Sequence, residues 1–178
     1  MENRLYYICR VRLDGDDKFV IWFQNKRDGF VFADDGRLIW ARTPEGIAKA
    51  AHERDITLVA EDATSYDFDR ISDWCQRGRR RGRSRRRAAD GVDCNAFLNA
   101  WNFFDDLAGV HEFPDTDFAR LSCAADNCYD TLFWGCNLPV VTPPGEHFVP
   151  SWDHQRLDVI AEVMEVGLAL LREKLRAA

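Results

Sequence analysis

A chain of 178 residues with 46% apolar and 12% aromatic side chains can bury most of the surface its unfolded form exposes, so it needs no disulfide or metal staple to fold. Thirty acidic residues face 24 basic ones, for a formal charge of −6, and no apolar run approaches the ~18 residues of a membrane helix. The opening Met-Glu-Asn-Arg-Leu-Tyr-Tyr has no basic leader followed by an apolar segment, so a cytosolic protein with no membrane attachment is expected.

Leu5, Tyr7, Cys9, Val11 and Leu13 alternate with mostly polar neighbours, the period of a half-buried strand. Asp14-Gly15-Asp16-Asp17 supplies turn chemistry, and Phe19-Val-Ile-Trp-Phe23 follows as a more fully buried strand. Asp28-Gly29 and Asp35-Gly36 each precede a short apolar run, a hairpin signal. Thr43-Pro44-Glu45 opens a helix with a hydroxyl cap, a proline at the first helical position and a carboxylate at the positive dipole end. Ile56 to Val59 reads as a further strand and Tyr66 to Cys75 as a short helix. Asp93 then caps a helix from Cys94 to about Ala108, in which Phe97, Leu98, Trp101, Phe104 and Ala108 share a face. Asp117 is a candidate cap for a turn after Pro114.

The last segment carries the strongest pattern. Leu157, Ile160, Ala161, Met164, Leu168, Leu171 and Leu175 recur at helical spacing, and Gly167 inside that stripe points to close packing. Ser151 is its expected cap, which predicts a long helix over 152–176. The fold expected is α+β: an N-terminal antiparallel β-meander of three to five strands packed against four to six helices, forming one domain over 1–178.

Residues Arg77 to Arg87 hold eight of the basic residues and no apolar one. Like charges at that density repel and bury nothing, so 77–91 is expected to be a disordered insertion. Without it, 16 basic residues face 30 acidic ones. The acid is concentrated from Ala88 to Asp153, where eleven carboxylates accompany one cation, Arg120.

Six cysteines at irregular spacing, with no Cys-x-x-Cys pair, read as reduced thiols rather than a disulfide framework or zinc site. No nucleophile elbow, metalloprotease helix, phosphate loop or dinucleotide fingerprint occurs. No catalytic residue, metal or cofactor is therefore expected, and the balance leans away from an enzyme. Oligomeric state is left open.

Three surfaces invite a functional reading. Asp105, Asp106, Glu112, Phe113, Asp115, Asp117, Asp126 and Asp130 interleave carboxylates with aromatics, a composition suited to docking a basic protein. Asn99, Asn102 and Asp106 share one helix face and, with Trp134, Asn137 and His147 of a proline-held loop, suggest a pocket between the 94–108 helix and the 134–150 loop. Arg79, Arg80, Arg81, Arg85, Arg86 and Arg87 offer phosphate contacts. Nucleic acid is the weaker expectation, because the body is acidic and no aromatic lies between the arginines.

The stretch Tyr129-Asp-Thr-Leu-Phe-Trp-Gly-Cys-Asn-Leu-Pro139, with Thr142-Pro-Pro-Gly-Glu-His147 and Pro150-Ser-Trp152, resembles a segment of small uncharacterised proteins from high-GC bacteria. In size, acidity and α+β pattern the chain is similar to immunity proteins that neutralise polymorphic toxins. That resemblance implies a binding function toward a basic partner such as a nuclease toxin, and it implies no catalytic residue.

Overall fold

The computed structural model describes residues 4–80, 92–110, 113 and 115–176. Among them, five strands and six helices run in the order β1 (Leu5–Leu13), β2 (Asp16–Gln24), β3 (Gly29–Phe30), β4 (Trp40–Ala41), α1 (Pro44–His52), β5 (Thr64–Asp67), α2 (Phe68–Arg80), α3 (Cys94–Ala108), α4 (Asp117–Ala124), α5 (Asp126–Gly135) and α6 (His154–Lys174). This is the expected α+β architecture. No described helix is long and apolar enough to cross a membrane.

β1 and β2 pair antiparallel from Leu5 opposite Gln24 to Leu13 opposite Asp16. The two residues between them, Asp14 and Gly15, have φ of 55° and 83°. Two left-handed residues in succession make the tight turn whose twist matches that of the flanking strands. β3 and β4 pair one after the other along the far edge of β2.

The sheet departs from a plain meander at its other edge. β5 runs parallel to β1, with Cys9 opposite Thr64 and Arg12 opposite Asp67. A parallel neighbour needs a crossover, and α1 provides it. The strand expected at Ile56–Val59 shrinks to a bridge between Tyr6 and Leu58 and a bond from Val59 N–H to Tyr6 O. Tyr66, expected to be helical, belongs to β5 instead.

Strand alternation sends side chains to two cores. Phe19, Ile21 and Ile39 pack with Ile47 and Ala51 of α1 on one face. Cys9, Val11, Leu13 and Val20 meet α2, α3 and α6 on the other. Every residue of the predicted C-terminal stripe is buried. Helix α6 starts after Asp153, whose side chain accepts from Arg156 N–H at 2.8 Å. The expected limits of 152 and 176 therefore shorten to 154 and 174. Helix α2 is longer than expected and reaches Arg80, so 77–80 are helical rather than loop; arginine is a good helix former and continues the turn. The remainder of the predicted insertion, 81–91, lies outside the described residues.

Two contacts fasten these layers. A Cβ at Gly167 would stand 2.1 Å from Cδ2 of Phe104, so α6 and α3 approach more closely than any side chain at 167 permits. At the hairpin tip, Asp69 in the first turn of α2 accepts from Asp14 N–H at 2.6 Å and Gly15 N–H at 3.0 Å. The Asp14 carboxylate receives Nε and Nη2 of Arg172 from α6 at 3.0 and 2.7 Å.

Gly167→Ala should lower stability by about 1–3 kcal/mol, the cost of overpacking a closed core. Urea denaturation will read this as a lower midpoint at unchanged slope. The hydrogen bond from Arg172 holds the Asp14 carboxyl below its ordinary value, burial opposes it, and the charges of Arg172 and Lys18 add to it. A carboxyl depressed in the folded state stabilises above its unfolded pKa of ~3.9 and loses that contribution as pH falls through the folded value. Arg172→Met should therefore be less stable than the parent at pH 7. The gap should narrow below about pH 4, as denaturation at pH 7 and pH 3 will measure; a constant gap would assign the loss to packing alone.

Candidate functional site

Helix α3 is nearly enclosed. Asp93 caps its first turn by accepting from Ala96 N–H, and Gly109 ends it in the left-handed region at φ 59°. Phe97, Leu98, Ala100, Trp101, Phe103, Phe104 and Leu107 are buried. Asn99 and Asn102 remain exposed, while Asp105 and Asp106 are half-buried.

That polar stripe forms one wall of a cavity of about 480 Å³. Trp22 and Asp28 from the sheet side, Tyr66 of β5 and Tyr129 of α5 complete it, with Phe103 among the lining residues. Hydrogen bonds fix the walls. Trp22 Nε1–H donates to Asp106 Oδ2 at 2.9 Å. Trp101 Nε1–H donates to Ser122 Oγ at 2.8 Å, and that hydroxyl donates to Asp105 Oδ1 at 2.9 Å. Tyr129 OH donates to Asn102 Oδ1 at 2.9 Å, and Asn25 N–H donates to Asp28 Oδ1 at 3.1 Å. These donors are neutral groups, and each orients the oxygen it meets.

Asp105 and Asp106 act on the titratable groups beside them. Burial pushes the Tyr66 hydroxyl well above its ordinary pKa, and the Cys9 thiol and Asp106 push it further. Burial and then Asp106 raise the Cys9 thiol to about 12. Tyr129 is raised by burial and Asp105, against the bond to Asn102. Both phenols and the thiol are thus protonated at neutral pH, and none is a poised base or nucleophile. Among the described residues no group of three or more His, Cys, Asp or Glu side chains is placed to hold a metal ion. Three carboxylates and four rings around one space suit an organic cation better, since a cation gains from both carboxylate charge and ring faces.

The 134–150 loop is a second feature. Asn137, at φ 49°, donates from Nδ2 to Gly135 O at 3.1 Å and Phe148 O at 3.0 Å, and its Oδ1 accepts from Phe148 N–H at 2.7 Å. One side chain thereby closes the base of an Ω-shaped loop. Leu138 O accepts from Val141 and Thr142 N–H, and Pro143 O from Glu146 N–H, which tightens the tip. The loop is rooted against α3, where a Cβ at Gly135 would meet Cys94 Sγ at 2.5 Å and Pro150 Cγ at 2.6 Å.

The structure sorts the residues expected to carry function. Asn99, Asn102 and Asp106 line this cavity, which lies between α3 and the sheet, and Trp134, Asn137 and His147 are not among its described lining residues. Trp134 and His147 are exposed, and Asn137 serves the loop. The expected continuous acidic surface is divided. Asp105 and Asp106 turn inward to Ser122 and Trp22, because their carboxylates find donors there. Phe113, Asp115, Asp117, Asp126 and Asp130 are exposed, with Asp117 paired to Arg120. Glu112 lies outside the described residues, as do Arg81, Arg85, Arg86 and Arg87; Arg79 and Arg80 end α2. Trp22, Asp28 and Tyr66 were not expected at a site. Trp22 read as strand core, Asp28 as turn, and Tyr66 as helix. No family model, curated protein or solved structure matches the chain.

Asn137→Ala removes three hydrogen bonds and leaves a left-handed residue without the amide that supports it, costing about 2 kcal/mol. Asn137→Gly keeps the backbone conformation and should fall between the two. Hydrogen exchange at the Phe148 amide will rise in both variants if the clamp holds the loop.

Proposed function

We propose that this chain is a binding protein rather than a catalyst, and that its cavity receives a cationic side chain from a basic protein partner. Asp28, Asp105 and Asp106 converge with Trp22, Tyr66, Phe103 and Tyr129 on one space, and this convergence carries the reading. Among the described residues that line it there is no histidine, cysteine, serine or lysine, so that part of the wall offers none of the usual nucleophiles or near-neutral bases.

A guanidinium fits the chemistry best. Its planar fork pairs with carboxylates through two parallel bonds and its face stacks on rings. A partner that inserts one arginine gains an anchor of the kind that dominates interface energetics. The surrounding carboxylates, Asp115, Asp126 and Asp130, are exposed and would speed its approach in a salt-dependent way. An inhibitor of the immunity type would use such a site to occlude a basic toxin, and the chain's acidity supports that role.

Titration with N-acetyl-arginine amide, a single guanidinium on a capped residue, tests the reading. The Trp22 indole N–H resonance should shift saturably, and the affinity should fall with added salt. Asp28→Asn retains the acceptor for Asn25 N–H but removes the charge, and should weaken binding about fivefold, the worth of one partly exposed charge pair. Asp130→Asn, outside the cavity, should weaken binding less than Asp28→Asn does. An equal shift with N-acetyl-glutamine amide, or none with either, would overturn the proposal.

A further inference from the structure

The 138–149 loop exposes apolar surface that the cavity does not explain. Val140 is 95% and Val149 75% exposed, and Trp134, Leu138, Val141 and Phe148 are each more than a third exposed. Scattered apolar residues on a surface are ordinary, but six on one closed loop and its root make a candidate interface. The Asn137 clamp and the tip hydrogen bonds hold them in place, so little ordering entropy is lost when they are covered.

Charge decides what covers them. From Leu121 to Gln155 the sequence contains no lysine or arginine and four carboxylates, Asp126, Asp130, Glu146 and Asp153; Arg156, which donates to Ser151 O at 3.5 Å, is the one cation at the end of this stretch. Those three described on α5 and the loop, Asp126, Asp130 and Glu146, are exposed. An apolar ridge inside an acidic frame repels a second copy of itself and an anionic membrane, and attracts a cationic surface that has apolar side chains of its own. Position adds to this. The loop root touches Cys94 in the first turn of α3, and Asn99 and Asn102 of the same helix line the cavity.

We propose that the 138–149 loop is a docking ridge for a basic protein whose contact face carries exposed apolar side chains among its lysines or arginines. The inference extends the proposed function, because the partner that fills the cavity would also cover this ridge; the ridge is nonetheless a separate surface with its own residues.

The probe is a synthetic amphipathic helix of leucine and lysine, with an oligolysine of equal charge as its control. The parent protein should bind the amphipathic peptide more tightly than oligolysine. Val140→Ser with Val149→Ser should weaken the amphipathic peptide on the order of tenfold, the loss of two apolar contacts, and leave oligolysine binding unchanged. Both valines are exposed, so thermal melting should match the parent. An aspartate pair at the same positions separates the causes. If attraction is purely electrostatic, the serine pair binds as the parent does and the aspartate pair binds more tightly, which overturns the inference. Insertion into phosphatidylcholine vesicles without discrimination between the peptides would also overturn it, in favour of a lipid surface. Failure of the cavity reading looks different: N-acetyl-arginine amide leaves Trp22 unmoved while the serine pair still weakens the amphipathic peptide.

Discussion

Phe104 can lie where it does only because position 167 has no side chain. Its ring is fully buried and stacks on Phe68 at 5.2 Å and edge-on to Phe118 at 6.0 Å. Through Phe103 the same group reaches Phe30 and Tyr66 of the sheet, at 4.5 and 4.9 Å. The aromatic cluster therefore joins sheet, α2, α3 and α4, and the close approach at Gly167 adds α6. Interiors at this density do not relax to fill a gap or admit an extra carbon. The spacing of α3 from its neighbours is in consequence tightly set.

That spacing decides where α3's polar groups can go. With one side committed to Phe97, Trp101, Phe104 and their neighbours, Asn99 and Asn102 stay exposed while Asp105 and Asp106 meet the edge of the core. Half-buried carboxylates must find donors or pay for desolvation. Trp22, Ser122 and Asn25 supply neutral ones for Asp106, Asp105 and Asp28. These donors settle orientation, while burial first and the Asp105 and Asp106 charges after it raise the Tyr66, Cys9 and Tyr129 groups. The cavity's chemistry thus follows from the core's geometry.

Local patterns made much of this fold legible. The alternation in Leu5–Leu13, the Asp14-Gly15 turn, the Thr43-Pro44 cap, Asp93 as an N-cap and the Leu157–Leu175 stripe each depend on residues a few positions apart, and each holds. What stayed hidden depends on distant partners. Tyr66 lies two residues before a helix and reads as part of it, yet pairing with Val11 draws it into a parallel strand. Asp105 and Asp106 look like surface acid until Ser122 and Trp22, 17 and 84 positions away, are brought to them. Trp22 alone in an apolar strand carries no sign that its indole will reach a carboxylate on a helix.

The division of the acidic segment also changes what its charge can accomplish. A run of exposed carboxylates acts at a distance and mainly on association rate, and salt screens it over about 8 Å at physiological strength. Carboxylates that line a cavity act at contact, where the local dielectric is lower and screening weaker. Asp115, Asp126 and Asp130 belong to the first kind; Asp28, Asp105 and Asp106 belong to the second. A partner that met only the first set would be drawn in and released with every change of salt. One that also filled the cavity would be held by contacts that salt reaches poorly. Asp28 apart, both sets come from one stretch of sequence, because α3 turns Asp105 toward Ser122 of α4 and Asp106 toward Trp22 of the sheet, while Asp115, Asp126 and Asp130 stay in water.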